Sequence, residues 1–137
     1  MFDKSIHGKR WCRILEEEAQ LNYLLRELMQ KIEGLDSAAL VSREGLIVSA
    51  VLEEGISDMH IAAMSAIILS TCERVLMELK KGSLDICIIQ GSEGKFLVMQ
   101  CGEDYIIVGV LDADARMDLA FVNMRATTNR IIDILEE

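Results

Sequence analysis

The chain contains no proline, so the residue that most often marks a linker or stops an element is missing throughout. No internal repeat or low-complexity tract divides it either. At 137 residues with 51% hydrophobic content, it is expected to form one globular domain with a substantial core. Histidine is scarce: His7 and His60 are the only two. Neither stands in an H-x-x-x-H or H-E-x-x-H spacing that would put two metal ligands on one helical face. The four cysteines, Cys12, Cys72, Cys87 and Cys101, include no C-x-x-C pair, which excludes the usual zinc and redox-dithiol signatures. They read as reduced, mostly buried thiols, with Cys72, Cys87 and Cys101 inert inside apolar runs. The N-terminus has no uninterrupted apolar stretch, and no run approaches the roughly 18 apolar residues of a membrane span. A cytoplasmic location without membrane insertion is the expectation.

Positive charge is in the minority. Fourteen Lys and Arg stand against 23 Asp and Glu, for a net charge of −9. Such a surface repels a phosphate backbone, which excludes general nucleic-acid binding and favours a protein partner. The charge is uneven, because Lys4, Lys9, Arg10 and Arg13 oppose only Asp3 in the first thirteen residues, leaving −12 for everything after Arg13. The basic head is a feature separate from the acidic body.

Apparent catalytic motifs also dissolve. Gly91-Ser92-Glu93-Gly94-Lys95 has its glycines too close for a phosphate-binding loop, which needs four residues between them and a Ser or Thr after the lysine; Phe96 follows instead. Asp112 and Asp114 could suggest acid–base work, but they fall where a helix N-terminus wants capping acids. No catalytic residue, metal ligand, cofactor-binding residue or cofactor is assigned.

What is present is periodicity. Leu21, Leu24, Leu25, Leu28 and Ile32 recur at helical spacing within 14–32, and Gly34 is placed to close that helix. Residues 38–52 turn to β composition around Arg43-Glu44-Gly45, a hairpin with glycine where positive φ is needed. Ser57 and Asp58 are a plausible N-cap and first-turn acid for a helix running to Leu79, with Gly82 closing it. Three β runs follow, Leu84–Ile89, Phe96–Cys101 and Tyr105–Leu111, joined by short glycine-bearing turns that suit antiparallel pairing. The last two runs are apolar on both alternating faces, so helices must cover both sides of the sheet. Met117, Phe121, Met124, Thr128, Ile131 and Leu135 form the stripe of a closing helix after Asp112 or Asp114.

The second helix is anomalous. Fourteen residues from Met59 to Cys72, MHIAAMSAIILSTC, carry no formal charge, whereas a surface helix of a monomer should show one polar face. Ile61, Met64, Ile68, Cys72, Val75 and Leu79 are spaced to lie on the sheet. That leaves Met59, Ala63, Ala66, Ile67, Ser70 and Arg74 facing outward, small or apolar, which marks an interface unless the basic N-terminal segment covers them.

The entry helix LNYLLRELMQKIEGL, the hairpin AALVSREGLIVSA, the helix AAMSAIILSTCERVLMEL and the strand series LDICIIQGSEGKFLVMQCGEDYIIVGVLD together resemble the Roadblock/LC7 family. The likeness covers roughly residues 20–135 and rests on the agreement of element order, with no single diagnostic motif. It divides the chain into a basic N-terminal extension or helix extension, 1–19, and a Roadblock/LC7-like domain, 20–137. It implies a non-enzymatic α/β (α+β) domain: a three-layer α/β/α sandwich around a five-stranded antiparallel sheet, in the order α-β-β-α-β-β-β-α. It further implies a homodimer made by the third strand and second helix, acting as regulator or scaffold for a Ras-like small GTPase or as a dynein-light-chain-type adaptor. Leu84, Asp85, Ile86, Cys87, Ile88 and Ile89 would then be the dimer edge strand. Met59, His60, Ala63, Ala66, Ile67, Ser70 and Arg74 would be the partner-binding surface, with Arg74 the one arginine to test as a contributor to GTP hydrolysis. The other reading is a profilin-, longin- or PAS-like small-molecule sensor, which should carry polar residues inside its core; strands filled with Ile, Val, Leu and Met argue against it.

Overall fold

The computed structural model describes residues 4–136, with side chains from Cys12 onward. The expected order holds: α1 (Lys4–Lys31), β1 (Leu35–Ser42), β2 (Ile47–Val51), α2 (Asp58–Glu78), β3 (Ile86–Gln90), β4 (Gly94–Cys101), β5 (Tyr105–Asp112) and α3 (Met117–Leu135). The five strands form one antiparallel sheet in the order β2-β1-β5-β4-β3. Strand β5 is therefore central, and β2 and β3 are the edges.

Alternation along the three inner strands divides the core in two. Ala38, Leu40, Leu97, Met99, Ile107 and Leu111 point to one side, where Leu21, Leu24, Leu25 and Leu28 of α1 and Ala120, Met124 and Ile131 of α3 cover them. Ala39, Val41, Val98, Ile106 and Val108 point to the other, beneath Ile61, Ala62 and Leu69 of α2. This is the α/β/α sandwich that the two-faced apolarity of β4 and β5 requires.

Local boundaries differ from the sequence expectation in instructive ways. Helix α1 begins at Lys4 rather than near Ile14, so the basic head continues the helix; the side chains of its Lys9, Arg10 and Trp11 lie outside the described residues. Strand β3 begins at Ile86 rather than Leu84: Leu84 is an anchor buried under α2, and Asp85 is drawn to Arg125 of α3 by two 2.7 Å hydrogen bonds. Helix α2 ends in a Schellman turn, with the amides of Lys80 and Lys81 donating to the carbonyls of Met77 and Leu76. The left-handed residue there is Lys80, at φ 57°, two positions before the glycine expected to close the helix. Neither Asp112 nor Asp114 caps α3. Arg116 is its N-cap residue, without a side-chain cap bond, and its guanidinium instead holds Asp118 of the first turn at 2.6 and 3.2 Å.

Gly34 carries the turn that passes the chain from α1 into the sheet. Its φ is +90°, and a Cβ there would stand 3.0 Å from the Ala115 Cβ in the turn that precedes α3. Its carbonyl accepts from the Asp112 amide at 2.8 Å, so the turn has no room to swing away. Gly34→Ala is expected to destabilise the fold by about 1–2 kcal/mol, the cost of a side chain in the left-handed region, read as a lower urea midpoint at unchanged m-value.

Candidate protein-interaction surface

The Ser57 hydroxyl accepts from the His60 amide at 3.3 Å and starts α2 as expected, while Asp58 occupies the first turn. The helix lies on the sheet through Ile61, Ala62, Ser65 and Leu69, with Ile68, Cys72 and Leu76 partly buried beside them. Three residues assigned to that inner stripe from sequence, Met64, Val75 and Leu79, are instead exposed. The reason is Ser65. It is fully buried because its hydroxyl donates to the Ile61 carbonyl one turn back, at 2.5 Å, which removes the desolvation cost that would keep a serine outside. With Ala62 and Ser65 inward, the helix is rotated from the register that bulk alone suggests.

The outward arc is as read in all but one position. Met59 is 76% and Ile67 65% exposed; His60, Ala63, Ser70 and Arg74 are also exposed. Ala66 is half-buried beside the β1–β2 hairpin, where a side chain on Gly45 would lie 3.5 Å from its Cβ. Arg74 reaches Glu78 at 3.3 Å, with both side chains mostly in water; such a pair contributes a few tenths of a kcal/mol and leaves the guanidinium free to change partner. Met77, at 70% exposure, extends the apolar surface further than sequence reasoning drew it. Nothing among the described residues covers this face, since α1 and α3 pack on the opposite side of the sheet. By length and composition alone α2 could cross a membrane, contrary to the expectation that no segment would qualify; here its inner stripe is packed on a sheet.

Edge strand β3 pairs with β4 alone, from Ile86 opposite Met99 to Gln90 opposite Lys95. Its Ile88 and Ile89 are 43% and 45% exposed. Ile89 shares the α2 side with Cys87 by strand alternation, so helix and edge present one continuous apolar surface. Two polar ties hold its frame. Arg43 of the hairpin donates to Glu73 of α2 and, at 3.2 Å, to Gln100 of β4. Arg125 holds Asp85, just before β3, and keeps its carboxyl below the usual range.

The thiols divide differently from the expectation. Cys12 is exposed, and Cys101 is buried, its thiol pushed up to about 12 by desolvation. Cys72 and Cys87 are half-buried and meet across the α2–β3 boundary with sulfurs 3.4 Å apart, a contact fifteen residues apart in sequence that no spacing rule signals.

The Roadblock/LC7 domain model matches residues 21–111, which run from the first core leucine of α1 to the last core residue of β5. The chain belongs to the Roadblock/LC7 domain family. Among its relatives, MJ0310 of Methanocaldococcus jannaschii is 26% identical over 103 residues, covering 75% of this chain and 90% of that protein. MJ0714 of the same organism is 25% identical over 114 residues, covering 83% and 95%. The fold superposes on a Roadblock/LC7 domain from Streptomyces avermitilis with a TM-score of 0.80 at 18% identity, covering 85% of this chain and 98% of that one. It superposes equally on Myxococcus xanthus MglB, TM-score 0.80 at 14% identity, covering 85% and 95%. A further MglB structure, described as having a tetrameric arrangement, gives 0.79 at 16% identity, covering 88% and 90%.

At the end of the matched region sits a carboxylate pair, though not the one suggested by sequence. Asp112, the last residue of β5, meets Asp36 of β1. Hydrogen bonding to Asp112, then burial, then the charges of Asp112 and Glu53 raise the Asp36 carboxyl from 3.8 to about 6. The Asp36 carboxyl keeps its proton to higher pH in the folded state than in the unfolded chain, so folding stability falls as pH rises from about 4 to about 6. Asp112→Asn should remove the repulsion. The variant is expected to be more stable than the parent at pH 7, by about 1 kcal/mol after solvent screening, with the difference vanishing below about pH 4 in urea titrations at both pH values.

Proposed function

We propose that this Roadblock/LC7 domain is a non-enzymatic, cytoplasmic homodimeric regulator or scaffold that binds a Ras-like small GTPase. The observation that carries the reading is the uncovered apolar face of α2, continuous with the free edge of β3. Two copies related by a two-fold axis would pair their β3 edges and bring their second helices side by side, continuing the sheet and removing exposed backbone. The small exposed residues Ala63 and Ser70 permit close helix approach. The paired helices then form a platform on which Met59, His60 and Arg74 face a GTPase. Family membership supports the protein-binding class over a small-molecule sensor, and so does the interior. Both cores are filled with aliphatic side chains, and every buried side-chain polar atom among the described residues has a partner, so no core group is left to orient a ligand.

The assembly is tested by light scattering at micromolar concentration. A dimer is expected for the parent, and Ile67→Glu or Ala63→Glu should shift it to monomer, because a carboxylate buried without a partner costs several kcal/mol. A monomeric parent would overturn the assembly.

Partner binding is tested by calorimetric titration with Ras-like GTPases from the same source, in GDP and GTP-analogue forms. Micromolar affinity is expected, as for small regulatory interfaces dominated by a few anchors. Arg74→Glu and His60→Asp should each weaken binding about tenfold or more without changing the dimer. Binding indifferent to both substitutions would move the contact off this face.

A further inference from the structure

We propose that Cys72 and Cys87 form a redox-modification site, at which a hydroperoxide converts the two thiols into an intramolecular disulfide that clamps the C-terminal half of α2 to edge strand β3. The sulfurs already stand 3.4 Å apart. A disulfide needs about 2.05 Å, a closure of about 1.4 Å that side-chain rotation on a helix and a strand already in van der Waals contact can supply. Cys72 sits on the inner stripe of α2 between Ile68 and Leu76, and Cys87 lies opposite Val98 in the sheet. Both are half-buried, so a small oxidant reaches them while the fully buried Cys101 stays shielded. A zinc role does not fit: zinc takes four ligands or three with an open position, and no cluster of three or more His, Cys, Asp or Glu able to hold a metal occurs among the described residues.

The chemistry begins at Cys72. Burial, followed by the adjacent Cys72 sulfur, pushes the Cys87 thiol up to about 11, so Cys87 is the harder of the two to ionise and takes the resolving role. The Cys72 thiolate attacks the terminal oxygen of the hydroperoxide. The O–O bond breaks, the leaving alkoxide or hydroxide takes a proton, and Cys72 becomes a sulfenic acid. Cys87 then loses its proton and attacks the Cys72 sulfur, the S–O bond breaks, and the hydroxide leaves as water. Two thiols and one hydroperoxide give one disulfide, one alcohol or water, and one water, with two electrons passing from sulfur to the peroxide oxygens. The loop so closed spans residues 72–87 and holds the left-handed turn at Lys80, the place where α2 hands over to β3. Because the link lies within one protomer, beneath the outer face of α2, it needs neither a second copy nor a docked partner to form.

The test uses the full chain with Cys12→Ser, which removes the exposed thiol that could link two molecules. After treatment with hydrogen peroxide, remaining thiols are alkylated and the intact mass and disulfide-linked peptides are measured. The expected result is a loss of about 2 Da, one alkylated cysteine, a peptide joining Cys72 to Cys87, reversal by a thiol reductant, and a Tm raised by about 10 °C through closure of a sixteen-residue loop. Adding Cys72→Ser or Cys87→Ser should abolish the link while circular dichroism stays unchanged. If a serine variant fails to fold, peptide mapping of the Cys12→Ser protein still decides. Three alkylatable thiols after oxidation, stepwise oxygen addition at Cys72 without a link, or a bridge to Cys101 would each overturn the proposal.

Discussion

The constraint on which the rest depends is that β1, β4 and β5 are apolar on both faces. A strand with alternating polarity can leave one side in water, but Ile106 and Ile107, or Val98 and Met99, are neighbours that point to opposite faces, and all four are essentially buried. Each face must therefore be roofed. With three helices available and β5 in the centre, α1 and α3 together roof one side. The other side falls to α2 alone. The asymmetry of the molecule, a doubly covered face and a singly covered one, follows from the number of helices set against the number of faces.

That asymmetry explains why α2 is unusual. A lone helix over half a sheet must sit low to exclude water, and Ala62 and the self-satisfied Ser65 at its contact let it do so. Having spent small residues inward, the sequence still places Met59, Met64, Ile67, Val75 and Met77 outward, where a solvated helix would carry charge. Scattered exposed apolar residues need no explanation, but a stripe along one helix continuous with an unpaired strand edge does.

Polar contacts around this surface act on orientation more than on stability. Arg43 binds Glu73 and Gln100, and Arg125 binds Asp85. As partly exposed pairs they contribute about 1 kcal/mol or less each. Their geometry is what matters: the first fixes the hairpin to the C-terminal half of α2, and the second fixes the approach to β3 against α3. The two elements that frame the candidate interface are thus each tied to a different part of the fold, and their spacing is held between those ties and the Cys72–Cys87 contact.

Element order, strand count and the need for two helical layers were all determined by the sequence, because periods of 3.6 and 2 are local signals and the apolar content of β4 and β5 leaves no solvated face. The Ser57 cap and the Gly45 hairpin were legible for the same reason: each is a backbone requirement met by a residue a few positions away. The outward arc from Met59 to Ser70 was legible through its missing charge. Tertiary structure alone decided the rest. The rotation of α2 depended on Ser65 hiding its hydroxyl in its own helix, which hydrophobicity ranks wrongly. The start of β3 depended on Arg125, forty residues away, claiming Asp85. Asp112 left its expected capping role for Asp36, and Cys72 found Cys87, because the sheet order β2-β1-β5-β4-β3 and the crossing of α2 set distant residues side by side. Local periodicity specifies which elements form, but contacts between elements depend on how the layers stack, and that information is spread over the whole chain.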